Sequence, residues 1–184
     1  MVKEGAIMPN LEQGLIQIYT GPSKGKTTAA LGLAVRAVGH GFHVYIIQFM
    51  KGRSDYGELA GIQRLAPECQ LEHFGTNGWV HKGSLKQEDI EEAQKALIRT
   101  REIMLSGKWD IIILDEIINA IWFELLPEDS VLELIEKKPE HVELVLTGRN
   151  ASQRLMDKAH LVTEMAQVKH PFELGIGARC GIEY

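Results

Sequence analysis

A lysine followed by two threonines, Lys26-Thr27-Thr28, stands directly behind the turn Thr20-Gly21-Pro22-Ser23-Lys24-Gly25. This is nearly a phosphate-binding loop. The usual pattern, G-x-x-x-x-G-K-[ST], has four residues between its glycines. Here three separate Gly21 from Gly25, and Thr20 takes the place of the first glycine. In such a loop the backbone N–H groups of the turn and of the following helix converge on one point, where a phosphate binds. Lys26 adds a full positive charge there, and the Thr27 hydroxyl can ligate Mg²⁺ (or Mn²⁺). Thr20 to Thr28 are therefore the candidate phosphate-contacting residues, with Lys26 and Thr27 as the catalytic pair. The competing reading is a tight glycine turn with a surface lysine. A strand, then Gly-Lys-Thr-Thr, then a helix, in that order, argues against it.

A second group of residues supports the first. "IIILDE" is an apolar strand that ends in Asp115 and Glu116, which resembles a Walker B element whose carboxylate holds a metal or its water. Thr27, Asp115 and Glu116 are the candidate metal ligands. Within a strand, adjacent residues point to opposite faces, so one carboxylate is expected to face the metal and the other a neighbouring loop. "TGRN" follows another apolar strand. Arg149 suits a phosphate or the face of a ring, and Asn150 a base or a ribose. The polar, glycine-rich stretch "HFGTNGWVHKGS" carries Phe74 and Trp79. Large aromatics in such a loop either pack back on the body or form a movable wall over a flat apolar ligand. The seven histidines lack metal-ligand spacing, and no Ser-His-Asp or Cys-His arrangement is suggested.

The elements that position these residues follow from periodicity. "GLIQIYT", "HVYIIQFM", "CQLEHFG", "WDIIILDE", "HVELVLTG" and "LVTEMAQVK" read as strands. Between them, Ala30, Leu33, Ala34, Ala37 and Val38 fall at helical spacing, with Gly39 and Gly41 as a stop. "DYGELAGIQRLA" reads as a short helix. "SLKQ" reads as a capping box with Ser84 as N-cap, and Ile90, Ala93, Leu97 and Met104 share the face of the helix it opens. "INAIWFELL" follows, then a helix with Pro127 in its first turn, and then "SQRLMDKA". Strands alternating with helices predict an α/β domain with a mainly parallel sheet of about six strands. Ligands in such sheets bind beyond the strands' carboxyl ends, where Thr20, Asp115 and Thr147 fall.

Composition sets the frame. The 184 residues fit one domain, and 45% hydrophobic content is ordinary for a globular protein. A net charge of −5 argues against broad nucleic-acid binding. Cys69 and Cys180 lie far apart and read as reduced thiols. The start has no apolar core of signal-peptide length, and no run approaches a membrane span, so a cytoplasmic protein without membrane or nucleic-acid partners is expected. Residues 1–13 read as an extension, 14–169 as the domain and 170–184 as an irregular tail of it.

Together, "TGPSKGKTTAALGLAVRAVGHG", "VYIIQFMKG", "DIIILDEIINA", "ELVLTGRNA", "AHLVTEM" and "KHPFELGIGARCGIEY" resemble the P-loop corrinoid adenosyltransferases, the cob(I)yrinic acid a,c-diamide adenosyltransferase family, from about Gly14 to Tyr184. The resemblance implies a RecA-like P-loop fold. It implies transfer of the 5′-deoxyadenosyl group of ATP to the Co(I) of a reduced corrinoid, with release of triphosphate. It further implies Mg²⁺ or Mn²⁺, a flavoprotein reductant and a homodimer. The family's loop is short in the same way but reads T-G-N-G-K-G-K-T-T or T-G-D-G-K-G-K-T-T, so Pro22 and Ser23 depart from it. The family's Phe-Thr-Trp loop is not reproduced. Trp79, then Phe74, are the candidates for the corrinoid side. The alternatives are an ordinary P-loop NTPase or small-molecule kinase, which would cleave at the γ-phosphate, and a non-catalytic corrinoid carrier.

Overall fold

The computed structural model describes residues 11–78 and 80–184. Six strands form one sheet: β1 (Ile16–Thr20), β2 (Val44–Gln48), β3 (Cys69–His73), β4 (Ile111–Asp115), β5 (Glu143–Thr147) and β6 (Leu161–Glu164). Their spatial order is β3-β2-β4-β5-β1-β6, and every pairing is parallel. Parallel neighbours require crossovers, and the helices supply them. These are α1 (Lys26–Val38), α2 (Gly57–Gln63), α3 (Gln87–Met104), α4 (Ile117–Trp122), α5 (Glu128–Glu136) and α6 (Gln153–Lys158).

Strand alternation divides the core into two layers. Ile112 and Leu114 face α3, α4 and α5, in a cluster with Tyr45, Ile47, Leu144 and Leu146. Ile111 and Ile113 face α1 and α2, with Val44, Ile46 and Val145. The unbroken apolar run in β4 is thus explained by burial on both faces. Helix α1 presents Ala30, Ala34 and Ala37 to the sheet. These small side chains let its backbone approach closely and carry its first turn to the end of β1.

Four local expectations are corrected. The capping box does not form: α3 begins at Gln87 with Lys86 as N-cap and no side-chain cap bond. Asp89 instead turns inward, where its carboxylate accepts from the Thr76 hydroxyl. Pro127 is the N-cap of α5 rather than part of its first turn. The last strand stops at Glu164, because Met165 leaves the ladder to brace the phosphate loop, donating to the Thr20 carbonyl and accepting from the Ser23 N–H. Asp115 and Glu116 do not alternate within a strand. Asp115 ends β4, whereas Glu116 is a left-handed N-cap of α4 with φ 66.

Gly148 shows how tightly the carboxyl edge is packed. At φ 145, an added Cβ would lie 2.7 Å from the Ile118 Cβ and 2.8 Å from the Asn119 N. Only glycine allows the loop after β5 to cross α4 this closely. Gly148→Ala is expected to cost about 1–3 kcal/mol, measurable by denaturant unfolding, and to displace Arg149. Wild-type stability would show that the crossing is looser than described.

Candidate active site

Strand parity lays out the site. Val44, Ile46, Ile111, Ile113 and Val145 face α1, so Gln48, Asp115 and Thr147, each two residues further on, share that face. Gln48 and Asp115 are register partners. The β1 residue Tyr19 is the register partner of Thr147, which places the phosphate loop beside the same row. All three row side chains are buried, Asp115 at 1% exposure. Strand β5 lies between β1 and β4, and Thr147 spans the gap.

Asp115 is the hub. Its Oδ1 accepts from the Thr27 hydroxyl at 2.8 Å and the Thr147 hydroxyl at 2.7 Å. Its Oδ2 accepts from Gln48 Nε2 at 3.1 Å and faces Lys51 Nζ at 3.5 Å. Thr147 Oγ1 also accepts the Glu116 N–H at 3.0 Å, which sets the αL turn that starts α4. Because the Thr27 proton is committed to Asp115, the Thr27 oxygen keeps its lone pairs for a cation.

The phosphate loop turns on two glycines, Gly21 at φ 104 and Gly25 at φ 117. A Cβ on Gly21 would lie 2.6 Å from the Met165 carbonyl oxygen. Ser23 keeps a negative φ, so serine in place of the family's glycine brings no backbone strain. Its N–H is spent on the Met165 carbonyl at 3.0 Å, and Pro22 has none. The amides left available to a ligand are those later in the loop and in the first turn of α1, whose N–H groups have no partner within the helix. Lys26 is buried, and its Nζ donates to the carbonyls of Gly21 at 2.9 Å and Ser23 at 2.5 Å. Burial draws its pKa below the ordinary lysine value, opposed by Glu116 and Asp115.

A cleft of about 620 Å³ opens over this edge, within the range of small-molecule sites, about 300–1,000 Å³. One wall is Ser23 to Thr28 and Leu31, and the other is Lys51, Tyr56 and Glu58. Glu116, Arg149, His170 and the segment Gly181 to Tyr184 complete it. Burial, then the Asp115 charge, raises the Glu116 pKa well above the usual carboxylate range, against the pull of Lys51, Lys26 and Arg149. Lys24 bonds to the Ile182 carbonyl at 2.8 Å and to Glu183 at 2.9 Å.

The expected residues separate into three groups. Ser23, Lys24, Gly25, Lys26, Thr27, Thr28, Glu116 and Arg149 line this cleft, with Asp115 beneath it. Thr20, Gly21, Pro22 and Asn150 line a smaller pocket behind the loop, where Thr20 Oγ1 accepts the Ala151 N–H at 3.2 Å. Phe74 packs against the core beneath α3, and Trp79 lies outside the described residues. Sequence reasoning missed Gln48, Lys51, Tyr56, Glu58 and the bridging role of Thr147. The usable signal was parity, since β2 ends at the same sheet edge as β4 with a polar residue, Gln48, facing the same way.

Thr147→Val keeps the shape and removes both hydrogen bonds. It is expected to cost about 1–3 kcal/mol in stability and to weaken metal-dependent nucleotide binding, as read by denaturant unfolding and calorimetry. Unchanged values in both would remove Thr147 from the site.

Solved structures of RecA-like fold superpose on the chain. A KaiC-like protein from Pyrococcus horikoshii superposes with a TM-score of 0.59 at 15% identity, covering 86% of this chain and 75% of that one. A RadB recombinase superposes at 0.50 and 14% identity, covering 88% and 78%. Among sequence relatives, a corrinoid adenosyltransferase of Sinorhizobium sp is 36% identical over 94% of this chain and 81% of its own length. Those of Pseudomonas aeruginosa and Salmonella typhimurium are 34% and 32% identical over 94% of this chain, and over 85% and 87% of their own. Residues 12–184 match the family described as ATP:corrinoid adenosyltransferase BtuR/CobO/CobP. With a P-loop sheet, a hub carboxylate and a cleft lined by both lysines and carboxylates in place, the chain belongs to the ATP:corrinoid adenosyltransferase family.

Proposed function

We propose that this protein transfers the 5′-deoxyadenosyl group of ATP to the Co(I) of a corrinoid. One observation carries the reading beyond family membership. Lys26 is 6% exposed, yet its ammonium bonds two neutral carbonyls, with no carboxylate within ion-pair distance among the described residues. A buried cation with only neutral partners is stabilised by an anion, and triphosphate is the anion this reaction releases. In the transfer, the cobalt electron pair attacks the ribose 5′-carbon. A cobalt–carbon bond forms, the carbon–oxygen bond breaks, and its electron pair leaves with triphosphate. Cobalt rises formally from I to III. No proton is abstracted, so the site must only align the 5′-carbon and stabilise departing charge. Lys26, Lys24, Arg149 and the α1 amides are the groups for that charge.

The donor set fits a divalent metal, Mg²⁺ or Mn²⁺. Thr27 Oγ1 has free lone pairs, and Glu116 lines the same cleft. Gln48 Oε1 is buried without a partner. Among the described residues no three His, Cys, Asp or Glu side chains are grouped to hold a metal by themselves, so phosphate oxygens would complete the shell. When bound, the metal would neutralise phosphate charge. Asn150 toward the ribose or base, from its side-chain chemistry, and Trp79 or Phe74 toward the corrinoid, from their glycine-rich loop, remain part of the proposal. So do the homodimer and the flavoprotein reductant, which rest on the resemblance, and the cytoplasmic location, which rests on composition. Glu116 in the cleft would also suit a hydrolase, and the products decide between the two.

Mixing the protein with MgATP and chemically reduced cobalamin or cobinamide should convert the visible spectrum to that of an alkylcobalt species, with triphosphate released. ADP and phosphate without alkylcobalt would overturn the proposal. Lys26→Ala should lower kcat by about 100-fold or more. Full activity would place the phosphate site elsewhere.

A further inference from the structure

Lys51 is a second cation in the cleft, on the wall opposite the phosphate loop. Its Nζ lies 2.8 Å from Glu58 Oε1 and 3.5 Å from Asp115 Oδ2, and its side chain is 16% exposed. Its backbone is fixed from both sides: the N–H donates to the Phe74 carbonyl at 2.9 Å, and the carbonyl meets His73 Nδ1 at 2.9 Å. Met50 before it adopts φ 59, and a Cβ on Gly75 would lie 2.6 Å from the Lys51 nitrogen. The Tyr56 ring lies 4.9 Å below the ammonium. The Lys51 ammonium is thus set between two carboxylates, one of them the hub that holds Thr27.

That is also where a divalent cation would bind. Asp115 and Glu58 share the Lys51 ammonium and Glu116 lines the same cleft, so their negative charge would attract a cation in the absence of nucleotide even though they do not form a closed ligand set. We propose that Lys51 is the resident counter-ion of this carboxylate group, keeping a free divalent cation out so that the metal enters with the phosphates. Two like charges about 4 Å apart near a protein surface repel strongly enough to cut affinity by about tenfold or more. Phosphate oxygens supply compensating negative charge, so the metal–nucleotide complex does not meet the same barrier. Lys51 is thus a positioning residue. It holds Asp115 on one oxygen while Asp115 orients Thr27 with the other.

The inference rests on the proposed nucleotide site but is tested without catalysis, by electron paramagnetic resonance of free Mn²⁺ during titration. Wild-type protein should bind Mn²⁺ weakly alone, and at least about tenfold more tightly with a non-reactive ATP analogue. Lys51→Met should bind Mn²⁺ alone about tenfold more tightly than wild type, and the analogue should add less. Lys51→Arg, which keeps the charge, should behave as wild type. Unchanged or weaker Mn²⁺ binding by Lys51→Met would overturn the proposal. So would equal Mn²⁺ binding by wild type with and without the analogue, a comparison that needs no variant to fold. If these titrations behave as expected and no alkylcobalt forms with a corrinoid, the adenosyltransferase reading fails while the role of Lys51 stands.

Discussion

The carboxylate of Asp115 sits at 1% exposure with hydrogen-bond donors from Thr27, Thr147 and Gln48 and the Lys51 ammonium as an ion-pair neighbour. Removing a charge from water costs several kcal/mol unless partners compensate it. Here the partners come from the start of α1, the ends of β5 and β2, and the loop after β2. The cost of burying one charge is thereby turned into a constraint on three stretches that are distant in sequence, around Thr27, Gln48–Lys51 and Thr147. The phosphate loop cannot shift without pulling Thr27 from Asp115, and the opposite wall cannot shift without pulling Lys51. This network requires the three row positions to face α1, and the parity of β2, β4 and β5 provides that.

The short loop follows from the same packing. Pro22 lacks an N–H, and Ser23 spends its own on Met165. Both departures from the family pattern thus fall before the helix: Pro22 lies in the pocket behind the loop, and Ser23, although it lines the cleft, turns its N–H to the chain after β6. Lys24, Gly25 and the first turn of α1 face the cleft. A loop that binds phosphate mainly through the helix N-terminus and buried lysine loses little by having proline and serine where they are. The cations then lie on both sides of the carboxylates, Lys26 on one wall and Lys51 on the other.

The architecture was readable from periodicity, because β1, β2, β4 and β5 are short apolar runs buried on at least one face and the crossovers between strands carry helical patterns. The phosphate loop, Asp115, Glu116 and Arg149 were readable because their residue types are chemically unusual where apolar strands end. What escaped notice depended on tertiary placement. Lys51 and Glu58 look like ordinary charges in a loop and a short helix, and only the crossing of β2 beside β4 brings them to Asp115. The capping box at Ser84 failed because local chemistry was outweighed by a contact from afar, the burial of Asp89 against Thr76. Glu116 was misplaced because the αL turn leaves the strand one residue earlier than alternation implies. Thr147 was visible as a polar strand end, but its bridging role required knowing that β5 separates β1 from β4.

The central claim is that Asp115 makes the site metal-responsive by orienting Thr27, while Lys26 and the α1 amides bind phosphate independently. Calorimetry of a non-reactive ATP analogue binding to Asp115→Asn, with and without Mg²⁺, tests it most directly. Asparagine keeps the shape and an acceptor for the two threonines but removes the charge. The account predicts that binding without metal is retained or strengthened, and that the gain on adding Mg²⁺ falls by about tenfold or more. An Mg²⁺ gain equal to that of wild type would contradict it.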